Sequence, residues 1–158
     1  MSRIKSFFKL IRWTNLLMIA TMMLLVYYSL MSPLFMGSVL GVMPDMPAFL
    51  LLLLSMIFIV AGGYVINDIF DVEIDRINKP DKLIITNVFS EKESKLFYVI
   101  LTCIGMVSGL ISSILISGSR FYTLFAILLL LVYTLYVYSS TYKKKLLELL
   151  SPISSNKI

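Results

Sequence analysis

The sequence predicts an all-α integral membrane protein of four transmembrane helices, and three observations predict it. Hydrophobic residues make up 59% of the 158 residues and charged ones only 15%, too little polar surface to solvate a globular domain of this size. The apolar residues gather into four runs, each close to the about 20 residues that cross a hydrocarbon core about 30 Å thick. The basic residues lie between and outside those runs. No solvated basic face can form from that arrangement, so the net charge of +5 does not indicate a nucleic-acid partner.

The first run, residues 13–31, opens at Trp13 and ends before Ser32-Pro33. Gly37, Gly41, Pro44, Asp45 and Pro47 then mark a short loop. A basic start before an apolar run also fits a signal peptide, but the run is long and no small-residue cleavage site follows it. The second run, residues 47–66, holds an unbroken apolar block from Phe49 to Leu54 and closes with Ala61-Gly62-Gly63. A polar segment reaching about Lys95 is the longest piece outside the membrane. The third run, residues 96–116, turns through Ser117-Gly118-Ser119 into the fourth, residues 121–139, and a lysine-rich tail follows. Gly105 and Gly109 form a G-x-x-x-G step that permits close helix contact. Trp13, Tyr27, Tyr28, Phe121, Tyr122 and Tyr138 lie near span ends and read for the most part as interfacial anchors.

Basic residues accumulate on the cytoplasmic side of membrane proteins. With the N-terminus inside, that side receives Arg3, Lys5, Lys9 and Arg12, then Arg76, Lys79, Lys82, Lys92 and Lys95, then Lys143, Lys144, Lys145 and Lys157. Of the 14 basic residues only Arg120 is left outside. The expected setting is the cytoplasmic membrane, with the polar segment after the second span on the cytoplasmic side.

Cys103, the single cysteine, sits within an apolar run and reads as a small buried hydrophobe, with no disulfide or thiolate site possible within one chain. Histidine is absent, which removes the commonest general base and transition-metal ligand. Any metal here is therefore a hard cation held by oxygen.

The chemistry concentrates in Asn67-Asp68-Ile69-Phe70-Asp71-Val72-Glu73-Ile74-Asp75, which follows the second run without a turn signal, so the helix is expected to continue through it. Asn67, Asp71 and Asp75 then stand at i, i+4 and i+8, with Asp68 three residues before Asp71, all on one side. Carboxylates packed this closely beside a low-dielectric region repel one another unless cations sit among them. An all-oxygen set suits Mg²⁺, which takes one or two carboxylates and completes its octahedron with water and phosphate oxygens. Arg76, Lys79 and Lys82, on the same segment, offer positive charge for a diphosphate. The plainer alternative is a non-catalytic four-helix membrane protein whose acidic juxtamembrane connector only keeps the loop in water. An EF-hand fails, because Arg76 stands where its loop needs glycine and the terminal glutamate is missing.

These residues resemble the UbiA superfamily of intramembrane prenyltransferases, whose first aspartate-rich motif reads N-D-x-x-D-x-x-x-D and is complete at Asn67, Asp68, Asp71 and Asp75. Arg12-Trp13-Thr14-Asn15 is similar to the arginine and asparagine at the start of the family's first helix, with Trp13 where proline is frequent. Tyr138 and Lys143 look like its tyrosine and lysine near the end of the fourth helix, with Tyr142 an alternative register. The stretch from Leu10 to Leu17 looks most like bacterial members labelled geranylgeranylglycerol-phosphate transferases.

The resemblance implies transfer of a prenyl group from a prenyl diphosphate to a small-molecule or lipid acceptor, with Mg²⁺ as cofactor, inside a helical cavity open to lipid. By carry-over, Asn67, Asp68, Asp71 and Asp75 would hold Mg²⁺ and the three aspartates would be catalytic. Arg12, Asn15, Lys79, Lys82, Tyr138 and Lys143 would bind substrate. The family has about nine helices and a second aspartate-rich motif, whereas the similarity here covers about Ile4 to Lys143. Residues 1–143 thus read as the N-terminal part of such a domain and 144–158 as a divergent tail, consistent with a truncation or frameshift in the lysine run, and weak or no activity is expected of this chain alone.

Overall fold

The structure, a computed structural model, describes residues 2–31, 45–78, 84–117 and 121–142. Lys79, Lys82, Arg120, Lys143, the loop after the first run and the tail lie outside the described residues. The described residues form five α-helices, in order α1 Arg3–Leu10, α2 Trp13–Val26, α3 Met46–Asn78, α4 Glu91–Ser117 and α5 Phe121–Val137. Wide π-type turns, Tyr27–Met31 and Tyr138–Tyr142, extend α2 and α5. Among the described residues there is no strand, only an isolated bridge between Ile85 and Phe89.

Among the described residues three segments are long and apolar enough to cross a membrane: Met46–Glu73, Glu91–Ile116 and Tyr122–Thr141. The first expected span, residues 13–31, falls on a bent pair, α1 with α2 and Tyr27 to Ser29, angled at 51°, and it reaches the length and apolarity of a span only if the two helices are taken together. The bend sits at Arg12, whose backbone is left-handed (φ 52°, ψ 54°). A non-glycine residue there costs roughly 1 kcal/mol and persists only where surrounding contacts hold it.

Helix α1 was not anticipated from the sequence. Ser2 caps it, its hydroxyl accepting from the Lys5 amide at 3.4 Å. One face docks on the bundle: Ser6 and Leu10 are buried, and Phe7 meets Phe97 of α4 edge to face at 5.2 Å. Arg3 pairs with Glu93 and lies over the Phe89 ring. The opposite face leaves Ile4 and Phe8 exposed.

The strongest packing joins α3 and α4, which run antiparallel. A Cβ on Gly105 would lie 2.8 Å from Ile59 Cγ1 and 3.0 Å from the Ile59 backbone nitrogen, so only glycine lets the two backbones approach this closely. The G-x-x-x-G step is therefore the contact seam of this pair. Ser112 Oγ, one turn further, donates to the Ala48 carbonyl across the seam at 2.8 Å.

Three expectations are corrected. Tyr27 is not an interfacial anchor: it is buried and stacks on Phe49, ring centroids 4.2 Å apart. Cys103 is exposed rather than buried, because its side of α4 faces away from the helices it packs against. Helix α4 begins at Glu91, five residues before the predicted run, because Ser90 and Glu93 form a capping box: Ser90 N–H donates to Glu93 Oε2 at 2.8 Å and Glu93 N–H to Ser90 Oγ at 3.2 Å.

Candidate functional site

Helix α3 has 33 residues, about 50 Å at 1.5 Å per residue, well beyond the about 30 Å of a hydrocarbon core. Its last turns therefore project past the apolar stretch, carrying the aspartate-rich segment as continuous helix, as the absence of a turn signal predicted. All four motif residues, Asn67, Asp68, Asp71 and Asp75, line one cavity of about 490 Å³. Arg12 from the bend before α2 faces it, and so do Tyr138 and Ser139 from the π turn after α5. Deeper in the wall are Val60, Gly63, Tyr64 and Leu135. A Cβ at Gly63 would meet Leu135 Cδ1 at 3.0 Å, so the small residue lets α5 close one side of the cavity.

Polar contacts order this wall. Arg12 Nη2 donates to Asp68 Oδ1 at 3.0 Å, and the guanidinium carbon lies 4.8 Å above the Tyr64 ring. Asn67 Nδ2 donates to Asp71 Oδ2 at 2.9 Å along the helix, and Asp71 is buried. Asn15 Nδ2 donates to Tyr64 Oη at 3.3 Å. Arg12 and Asn15 thus both bear on Tyr64, one over its ring and one on its hydroxyl.

A second cavity of about 600 Å³ lies alongside and shares Arg12, Asp68 and Asp75 with the first. Lys5 and Lys9 of α1, Trp13, Thr14 and Asn15 of α2, and Ile84 complete it.

Six of the residues expected from the sequence, Arg12, Asn67, Asp68, Asp71, Asp75 and Tyr138, therefore meet in one cavity, and Asn15 stands one hydrogen bond away. Tyr64 and Ser139 were missed. Tyr64 precedes Asn67 by three positions, so helical spacing alone placed it on the motif face. Ser139 carries no comparable sequence signal, and its hydroxyl donates to the Leu135 carbonyl of its own helix at 2.9 Å.

The donor set tests the metal reading. Among the described residues no three His, Cys, Asp or Glu side chains converge as a cage for one ion. Asp68 and Asp75, seven residues apart, are separated by about 10 Å along the helix axis. Donors strung out in this way fit hard cations that each take one or two carboxylates and draw remaining oxygens from water and a phosphate ligand. They do not fit a closed structural site.

Fold and cavity together define a helical membrane protein with an all-oxygen acidic site, rimmed by arginine and tyrosine, at one end of its bundle. The profile of the UbiA prenyltransferase family matches residues 30–147, and the chain belongs to that family. A digeranylgeranylglyceryl phosphate synthase of Sulfurisphaera tokodaii is 36% identical over 97 residues, covering 60% of this chain and 32% of the relative. The synthase of the same name from Methanocaldococcus jannaschii is 45% identical over 65 residues, 41% of this chain and 23% of the relative. A solved structure, described as "Structural and mechanistic insights into the biosynthesis of Digeranylgeranylglyceryl phosphate synthase in membranes", aligns with a TM-score of 0.69 at 34% identity. It is matched over 91% of this chain and 46% of its own, so the chain spans about half of that structure and about a third or less of these curated relatives.

Proposed function

We propose that this chain forms the first aspartate-rich half of a Mg²⁺-dependent prenyl diphosphate site, and that the prenyl group passes to a glycerol-phosphate lipid. The observation that carries the reading is the convergence of Asn67, Asp68, Asp71 and Asp75 with Arg12 and Tyr138 on one cavity at the end of the bundle. The acceptor follows from the relatives, which are named digeranylgeranylglyceryl phosphate synthases.

Asn67, Asp68, Asp71 and Asp75 would hold the metal, which when bound supplies charge neutralisation for the departing diphosphate. Arg12 places a fixed positive charge in the same wall, beside the position where negative charge grows as the allylic C–O bond breaks. The bonding electron pair leaves with diphosphate, and a new C–O bond forms to the acceptor hydroxyl, which loses its proton. Tyr64 and Tyr138 line the cavity and are proposed to shield positive charge on the prenyl carbon. Lys79, Lys82 and Lys143 are proposed as further diphosphate contacts, and the motif end of the bundle is proposed to face the cytoplasm, in line with the distribution of lysine and arginine.

The test is binding of geranylgeranyl diphosphate to the purified chain, with and without Mg²⁺, in the parent and in Asp71→Ala. Metal-dependent binding that disappears in the variant is expected, and equal binding in both would sink the reading.

A further inference from the structure

We propose that the second cavity, between α1, the start of α2 and the end of α3, is a recognition site for a phosphate monoester, carried by the lipid acceptor. This rests on the proposed prenyl transfer for the acceptor's identity, but the site itself is argued from its own residues.

Lys5 and Lys9 stand one helical turn apart and both line the cavity, with Arg12 at the bend that follows. Three cationic groups therefore bound one space of about 600 Å³. Two carboxylates share the wall, Asp68 and Asp75, and both belong to the side held in common with the first cavity. Asp68 is already paired with Arg12 at 3.0 Å, while α1 contributes only the two lysines to the lining. The lysine side is thus a net positive surface, suited to an anion of charge near −2, which a phosphate monoester carries at about pH 7. Thr14 and Asn15 add neutral hydrogen-bonding groups.

The surroundings suit a lipid-borne phosphate. Ile4 and Phe8 of α1 and Leu17 and Met18 of α2 are exposed, so the helices bordering the cavity offer apolar surface to a hydrocarbon chain. Trp13, itself in the wall, is an amphipathic ring of the kind found at the headgroup level. Sharing Arg12, Asp68 and Asp75 places a headgroup held here next to the cavity proposed for the diphosphate. The 51° bend is the feature that makes the site, since a straight α1–α2 helix would carry Lys5 and Lys9 away from α3.

Trp13 is the only tryptophan in the chain, so its fluorescence reports on this cavity. The experiment titrates the full chain in a non-phospholipid detergent with a monoalkyl-glycerol-phosphate, the matching uncharged monoalkyl-glycerol, a phosphodiester lipid and inorganic phosphate. A saturable change with the phosphate lipid is expected, weakened roughly tenfold or more in the double variant Lys5→Ala, Lys9→Ala and restored by Lys5→Arg, Lys9→Arg. Both lysines are exposed, so the variants should fold. Competition by inorganic phosphate at comparable concentration would assign the site to free phosphate; its failure to compete assigns the lipid headgroup. Equal response to the uncharged lipid, equal displacement by a phosphodiester lipid, or full affinity in the double alanine variant would overturn the proposal. Asp71→Ala should leave this titration intact while losing geranylgeranyl diphosphate binding, so failure of one site is told apart from failure of the other.

Discussion

The two ends of helix α3 pack in opposite ways. Toward its N-terminus, α3 meets α4 across a seam of glycine and serine in which Gly105 lies against backbone and Ser112 reaches the Ala48 carbonyl at 2.8 Å. Toward its C-terminus Ile69 and Val72 still pack on the core, but the other face stands off, and the space between α2, α3 and the turn after α5 holds the cavity with Arg12, Asn67, Asp68, Asp71 and Asp75. Close packing in lipid needs small side chains, because helices there gain little from hiding apolar surface and associate through contact and hydrogen bonds. A binding space needs the reverse, polar groups held apart. One continuous helix meets both demands by changing its composition along its length.

The variants that separate these two regions rank by size of effect. The largest is Asp71→Ala, expected to lower Mg²⁺-dependent affinity for geranylgeranyl diphosphate by roughly a hundredfold while the thermal midpoint moves little. A large midpoint loss with affinity retained would show the motif to be a packing element and would erase the contrast. Next is Gly105→Ala, where the added carbon meets the Ile59 nitrogen at 3.0 Å and the Ser55 carbonyl at 3.1 Å, neither of which can yield. A cost of about 2 kcal/mol in reversible unfolding is expected. Gly109→Ala should cost less, about 1 kcal/mol, because the nearest atoms are the side-chain ends Leu128 Cδ1 and Ser55 Oγ.

Ser90→Ala removes the hydroxyl half of the capping box and should cost about 1 kcal/mol, read by unfolding or by hydrogen exchange in the first turn of α4. The smallest pair sharpens the account of the seam. Ser112→Ala should lose about 0.6 kcal/mol with its interhelical hydrogen bond. Ser55→Ala should lose nothing or gain slightly, since Ser55 Oγ is a buried hydroxyl with no hydrogen-bond partner among the described residues. Equal losses at both serines would mean that volume, not hydrogen bonding, sets the cost.

Much of the site was legible because it lies on one regular helix. The spacing of Asn67, Asp68, Asp71 and Asp75 fixes their common side as soon as the segment is helical, and the absence of a turn signal after Gly63 made it so. Helix α1 was overlooked although its signals were present: Ser2 before it and Phe7 and Leu10 three positions apart. A basic start in front of a span reads as a topology signal, and that reading masked the short amphipathic helix. The burial of Tyr27 and the exposure of Cys103 could not be read at all. In a span nearly every position is apolar, so the periodic contrast that marks the inner face of a helix in water is missing.

The sequence by itself determined which stretches are apolar enough for lipid, where the acidic helix turns lie, and which residue types were available for an oxygen-only site. Composition and spacing carry that information because transfer into a bilayer and the pitch of a helix are local properties. Only the tertiary structure decided that Arg12, Lys5 and Lys9 from the start of the chain and Tyr138 from its fourth run come to the same end of α3. That assembly depends on a left-handed residue, a π turn and the glycine contacts between helices, none of which one stretch of sequence specifies alone.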